Sequence, residues 1–242
     1  MLVAVCISEI YHLILQTMKA NFIHVCFVVD SSGSMTSSID DVKGGFKRII
    51  EEQKANTKGE CAVSYFDFNS TVTEVYRGKD VKEINSELNY TPFGMTALMD
   101  GVGIAIDTIG KWLNSMPEDE KPEQNMIVII TDGGENFSKE YSANRVREMI
   151  KHQQDKYSWN FVYLGADLNN VKDAIDLGIA TRGVTTKSTL GKSYDIINSS
   201  ISLYRNTNGT KDQKLDTVNA YLSNSVDTMN DDYRKATGIN ID

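Results

Sequence analysis

With 242 residues, 40% of them hydrophobic and 24% charged, the chain is long and apolar enough for one sizeable α/β domain with additions, and less readily for two small domains. Its 25 basic against 33 acidic residues give a net charge of −8, which repels phosphate backbones and anionic membranes and disfavours nucleic acid as a partner, a local basic patch excepted. The three cysteines, Cys6, Cys26 and Cys61, include no close-spaced pair and read as buried free thiols of a reducing compartment, against a zinc site or a catalytic thiol.

Residues 1–20 form a leader or extra segment. Residues 1–15 are apolar but interrupted by Glu9 and His12, too short to cross a bilayer and without the basic start of a signal peptide. An extra helix, a weak membrane-surface segment and residues upstream of a true start at Met18 all fit. The last is favoured, since Met18-Lys19-Ala20 leads directly into the first apolar run. No stable membrane insertion is expected.

That run, residues 23–29, reads as a buried strand. Ile39, Val42, Phe46, Ile49 and Ile50 then recur at helical spacing. Residues 62–68 and 71–76 flank the short turn Asn69-Ser70 and predict a hairpin whose second strand is an antiparallel edge. A helix follows with Leu98, Val102, Ala105, Ile109 and Trp112 on one face. The charged, proline-bounded loop 116–122 delivers the chain to a strand at 126–130, and Val146, Met149 and Ile150 mark the next helix. Residues 161–164 are a further strand, ended by Gly165-Ala166-Asp167, then a short helix at 171–177 and a last strand near 183–186.

Two helical stripes close the chain: Leu190, Tyr194, Ile197, Ile201 and Tyr204, then Leu215, Val218, Leu222, Val226, Met229 and Tyr233. The second must be buried somewhere, either back on the domain or against a second copy or a partner. Strands alternating with helices over this length predict an α/β fold: three layers, a mainly parallel twisted sheet of Rossmann-like type with one antiparallel edge strand, helices on both faces and a C-terminal helical extension. The natural division is 1–20 leader, 21–206 domain and 207–242 helical extension.

Oxygen-bearing side chains gather at the strand ends. Asp30-Ser31-Ser32-Gly33-Ser34 follows the first strand and hangs a carboxylate and two hydroxyls from one tight loop. Thr96 stands in a turn running into a helix, and Thr131-Asp132-Gly133 ends the strand at 126–130. Each fragment alone is an ordinary turn or helix cap. Together, Asp30, Ser32, Ser34, Thr96 and Asp132 offer two carboxylates and three hydroxyls, hard donors suited to Mg²⁺, with Mn²⁺ as an alternative.

At these residues the chain resembles the von Willebrand factor A family, whose DxSxS, threonine and TDG elements make up the metal-ion-dependent adhesion site. The likeness runs from about Phe22 to Tyr204. Phe68-Asn69, the run 131–136 and the run 161–166 look like stand-alone bacterial or phage members. The resemblance implies a cytoplasmic, non-catalytic, metal-dependent protein-binding module, an adaptor or assembly factor in a bacterial or phage system. A partner's Asp or Glu carboxylate would complete the cation's shell, with Ser32 and Ser34 ligating directly, Asp30 and Asp132 directly or through water, and Thr96 either way according to conformational state. Asp40 and Asp41 do not follow Ser34-Met35 as the acidic pair of an adjacent calcium site would, and fit the first turn of a helix instead.

Two other functions compete. A Mg²⁺-dependent phosphohydrolase also begins with an Asp after an apolar strand, but Ser32 occupies the place of its usual second Asp, and His12, His24 and His152 supply no evident base. An RNA- or ribonucleoprotein-associated role would need basic stripes with stacking aromatics, whereas Lys and Arg are dispersed. An oligomer through the C-terminal helix is the alternative to its folding back.

Overall fold

The computed structural model describes residues 19–165, 173–179, 181–184 and 190–237. The apolar leader with Cys6, His12 and Met18, and residues 166–172, lie outside them. In chain order the elements are β1 (Lys19–Asp30), α1 (Ile39–Ala55), β2 (Glu60–Phe68), β3 (Val72–Asp80), α2 (Leu98–Ser115), β4 (Pro122–Thr131), α3 (Ala143–Tyr157), β5 (Asn160–Gly165), β6 (Thr181–Val184), α4 (Leu190–Asn206) and α5 (Lys211–Thr237). The sheet order is β3-β2-β1-β4-β5-β6. Every pairing is parallel except β2 with β3, so β3 is the antiparallel edge the hairpin pattern predicts.

The central strands are apolar on both sides because both faces are covered. Val25, Phe27 and Val29 of β1 join a core with α1, α4 and α5. Cys26 and Val28, pointing the other way, join a second core with α2 and α3. Asp40 and Asp41 stand in the first turn of α1, as expected. Cys26 and Cys61 are buried free thiols.

β1 and β4 begin four residues earlier than their apolar runs, because polar side chains in their first halves find partners inside. Gln124 donates to the carbonyls of Asn125 and Ser158 at 2.9 and 3.0 Å. His24, fully buried, lies with Nδ1 3.1 Å from Asn125 Oδ1 and Nε2 2.8 Å from Ser64 Oγ. An amide oxygen only accepts, so Nδ1 carries the proton and Nε2 accepts from the Ser64 hydroxyl. Burial, opposed only in part by the Asn125 hydrogen bond, lowers the His24 pKa to about 4 and keeps the ring neutral.

α5 folds back on the chain. Leu215, Val218, Leu222 and Met229 enter the same core as β1, and Val226 is buried as well. Lys214, 2% exposed, reaches Glu123 Oε2 of β4 at 2.8 Å, and that oxygen also accepts from the Asn21 N–H and the Tyr204 hydroxyl. Arg205, at the end of α4, donates to the Gln53, Asn56 and Lys58 carbonyls and so closes the C-terminus of α1. The stripe from Leu215 to Met229 thus finds cover within the chain. Among the described residues no helix is long and apolar enough to cross a membrane.

Candidate functional site

Parallel strands bring their carboxyl ends to one edge, and the chain leaves β1 and β4 in opposite directions, toward β2 and toward β5. A crevice therefore opens between them at the point where the strand order reverses. Asp30 is the last residue of β1 and Asp132 follows the last residue of β4. The five residues singled out in the sequence meet in this crevice.

Ser32 and Ser34 hydroxyls stand 3.0 Å apart, and Ser34 donates to Asp132 Oδ1 at 2.5 Å. Asp30 is fully buried and is held by the Ser32 N–H on Oδ1 at 2.6 Å and the Thr131 hydroxyl on Oδ2 at 2.6 Å. Thr96 arrives from across the crevice. It does not cap α2, whose N-cap is Ala97; instead its backbone and that of Asn136 are tied reciprocally, Thr96 N–H to Asn136 Oδ1 at 2.9 Å and Asn136 N–H to Thr96 O at 3.1 Å.

Gly133 provides a measure of the convergence. A Cβ there would lie 3.1 Å from Thr96 Oγ1, 3.2 Å from Ser34 Oγ and 3.6 Å from Asp30 Oδ2, so three oxygens from two loops face one small volume that a side chain on the Gly133 loop would fill. Neighbouring ligands of an octahedral Mg²⁺ with bonds of about 2.1 Å are about 3.0 Å apart, the separation found between the Ser32 and Ser34 hydroxyls. The donor set and its spacing fit a small hard cation. Among the described residues no group of three or more His, Cys, Asp and Glu that could hold a metal ion is found, and this crevice itself offers two carboxylates, the other donors being hydroxyls.

The electrostatics point the same way. Burial pushes the Asp30 carboxyl up to about 6, hydrogen bonds from Thr131 and Ser32 oppose the rise, and the neighbouring Asp132 adds to it. A buried carboxylate beside a second carboxylate is costly without positive charge, and a divalent cation offsets both.

A second group of residues, not evident in the sequence, fixes the loops. The Tyr90 hydroxyl donates to the Asp30 carbonyl, and Ser31 N–H donates to Phe68 O at 2.7 Å. The buried N-terminus of α2 leaves backbone donors that need acceptors. Glu135 Oε2 takes the Met99 N–H at 2.9 Å and Ser138 Oγ the Asp100 N–H at 3.1 Å. In return Asp100 accepts the N–H groups of Lys139, Glu140 and Tyr141 at 2.8 to 2.9 Å. The signal available was the polar run Gly134-Glu135-Asn136 directly after a strand, opposite a helix start with no cap of its own.

Phe93 and Met95 flank the site with side chains 63% and 46% exposed. Their exposure does not arise from a loose backbone. Phe93 N–H donates to Ser31 O at 2.8 Å, Gly94 O accepts from Gly33 N–H at 3.1 Å, and Met95 N–H donates to Ser70 Oγ at 2.9 Å. Gly94 sits at φ +80°, with Ser70 Oγ 2.8 Å from where its Cβ would be, so only glycine fits this turn.

Residues 25–135 match the family model for the von Willebrand factor type A domain. No curated protein matches the chain in sequence. Among solved structures, the vWF domain of the type V pili tip protein Mfa5 from Porphyromonas gingivalis is similar with a TM-score of 0.59 at 10% identity, over 81% of this chain and 99% of that one. Proximal thread matrix protein 1 from the mussel byssus, solved with a zinc-occupied MIDAS motif, is similar with a TM-score of 0.53 at 18% identity, over 76% and 47%. A von Willebrand factor type A structure from Catenulispora acidiphila gives 0.53 at 16% identity, over 76% and 43%. The chain spans about half the length of the mussel chains it matches. At these identities the likeness is one of fold.

Proposed function

This chain carries a von Willebrand factor type A domain, a type of module that typically serves adhesion and protein interaction, and from that premise we propose that it is a metal-dependent protein-binding module. Asp30, Ser32, Ser34, Thr96 and Asp132 would hold Mg²⁺, or Mn²⁺ in its place. Bound there, such a cation would supply a Lewis-acidic position open to a partner's Asp or Glu carboxylate. Two protein carboxylates leave the loaded site close to neutral, so an incoming carboxylate meets little repulsion.

The observation that carries this reading is the convergence of Thr96 Oγ1, Ser34 Oγ and Asp30 Oδ2 beside the bare Cα of Gly133. Phe93 and Met95, held outward on a clamped backbone, favour a macromolecular partner over a free small anion, since exposed apolar groups beside a polar centre are what a docking surface uses. Binding is favoured over catalysis because His24 is neutral and spent on core hydrogen bonds, and His152 stands on α3. A cytoplasmic adaptor or assembly factor of bacterial or phage origin is a setting in which buried free Cys26 and Cys61 make sense.

Affinity capture by tagged wild type and Asp30→Ala, each in Mg²⁺ and in EDTA, tests the proposal. A partner should be retained by wild type in Mg²⁺, released by EDTA and absent with the variant. Capture indifferent to both EDTA and the substitution would overturn it.

A further inference from the structure

α2 runs from the crevice of Asp30 and Asp132 to the opposite edge of the sheet. Between α2 and α3, beside the amino-terminal end of β4, lies a cavity of about 430 Å³ lined by Ile106, Leu113 and Trp159 among others. That volume is within the range of small-molecule sites.

One of its lining residues, Gly110, has no packing reason to be glycine. A glycine in a helix interior costs about 1 kcal/mol relative to alanine. Elsewhere on α2 the neighbours explain the cost: a Cβ on Gly101 would come within 2.8 Å of the Phe68 ring and one on Gly103 within 2.4 Å of the Tyr141 ring. At Gly110 the nearest atom would be Gln153 Nε2 at 3.8 Å, an ordinary contact. A larger side chain there would occupy the cavity and little else.

The charges of the lining are unbalanced. Lys121 is paired with Glu118, and Asp107 accepts from the Tyr141 hydroxyl at 2.9 Å. Lys111 and Lys211 also line the cavity, and among the described residues neither has a carboxylate within ion-pair distance. Burial lowers the Lys211 pKa against the opposing pull of Glu123 and Asp212, so this ammonium is poorly hydrated and an anion in the cavity would stabilise it. With Asp107 offsetting one of the two lysines, a single positive charge is left to neutralise beside the aromatic wall of Trp159 and Tyr157.

We infer that this cavity binds a small aromatic monocarboxylate, its ring against Trp159 and its carboxylate between Lys111 and Lys211. The site is independent of the cation site. Indole-3-acetate serves as the probe, indole and tryptamine as its neutral and cationic counterparts, and the full chain is used in EDTA so that no metal-bound carboxylate contributes. Saturation-transfer NMR and thermal shift should both report indole-3-acetate, with indole at least about fivefold weaker and tryptamine silent. Gly110→Leu, which fills the space, and Lys211→Met, which keeps the stem and removes the charge, should each weaken the probe at least about tenfold while circular dichroism shows the fold retained. Should Gly110→Leu fail to fold, Lys211→Met decides alone. No binding by wild type, equal binding of indole and its acid, or undiminished binding by a folded variant overturns the assignment.

Discussion

A methyl group on Gly133 would lie 3.1 Å from Thr96 Oγ1, 3.2 Å from Ser34 Oγ and 3.6 Å from Asp30 Oδ2, against the three oxygens assigned to the cation. Mg²⁺ needs oxygens at about 2.0–2.1 Å in near-ideal octahedral order, and these three cannot both clear a methyl and close on an ion. Gly133→Ala should therefore weaken Mg²⁺ at least about 100-fold, or about 2.8 kcal/mol. The fold should tolerate it: the crowded atoms are ends of short side chains, and replacing glycine itself stabilises by about 0.4–1 kcal/mol through the unfolded chain. The net change should stay within about 1 kcal/mol, a shift in Tm of no more than about 4 °C for a chain of this size. Calorimetric titration with Mg²⁺ and Mn²⁺, beside a thermal melt in EDTA, reads both quantities. Mg²⁺ affinity within twofold of wild type would show that the cation, if bound, does not sit among these oxygens.

Lowering of the His24 pKa from 6.5 to about 4 means that the folded state holds the neutral ring, so stability present above pH 6.5 is lost as pH falls toward 4, by about 3 kcal/mol; urea unfolding at pH 7.5 and 4.5 should show a smaller loss in His24→Gln, and an identical loss contradicts this. Lys214→Met leaves half-buried Glu123 with only the Asn21 and Tyr204 donors and should cost about 1.5–2 kcal/mol, less than the loss of one partner of a fully buried pair. If α5 belongs to the cooperative unit, a single melting transition should move; a change confined to part of the helical signal would separate it from the domain. Phe93→Ser combined with Met95→Ser should lower Mg²⁺-dependent partner capture about tenfold without altering Mg²⁺ affinity, and unchanged capture would remove these two side chains from the docking surface.

Much of the architecture was readable because buried parallel strands are continuous apolar runs and the helices between them carry clear stripes. The site was readable for a related reason: Asp30, Ser32, Ser34 and Asp132 lie directly after such runs, where a loop at the sheet edge must face the crevice. Polar positions inside strands were hidden. Gln124 and Asn125 fell before the expected strand 126–130, yet both are buried in β4, Gln124 donating to two carbonyls and Asn125 facing His24, and β3 runs on to Asp80 because an edge strand tolerates charge on its open side. Glu135, Asn136 and Asp100 act through bonds spanning 36 to 41 residues, which no local period records. The stripe on α5 announced that it needed cover, but that the cover is α4 and β6 of the same chain rests on long-range packing and on pairings such as Lys214 with Glu123 across 91 residues.

The most direct test of a cation held by Asp30, Ser32, Ser34, Thr96 and Asp132 is Mg²⁺ titration by calorimetry on wild type and Asp30→Ala, with Mn²⁺ as a second ion. Wild type should bind one ion and the variant none, while both keep the same circular dichroism spectrum. Binding that survives in Asp30→Ala would put the ion elsewhere, and no binding by wild type, even with a carboxylate such as acetate present to complete the shell, would contradict a metal-dependent module.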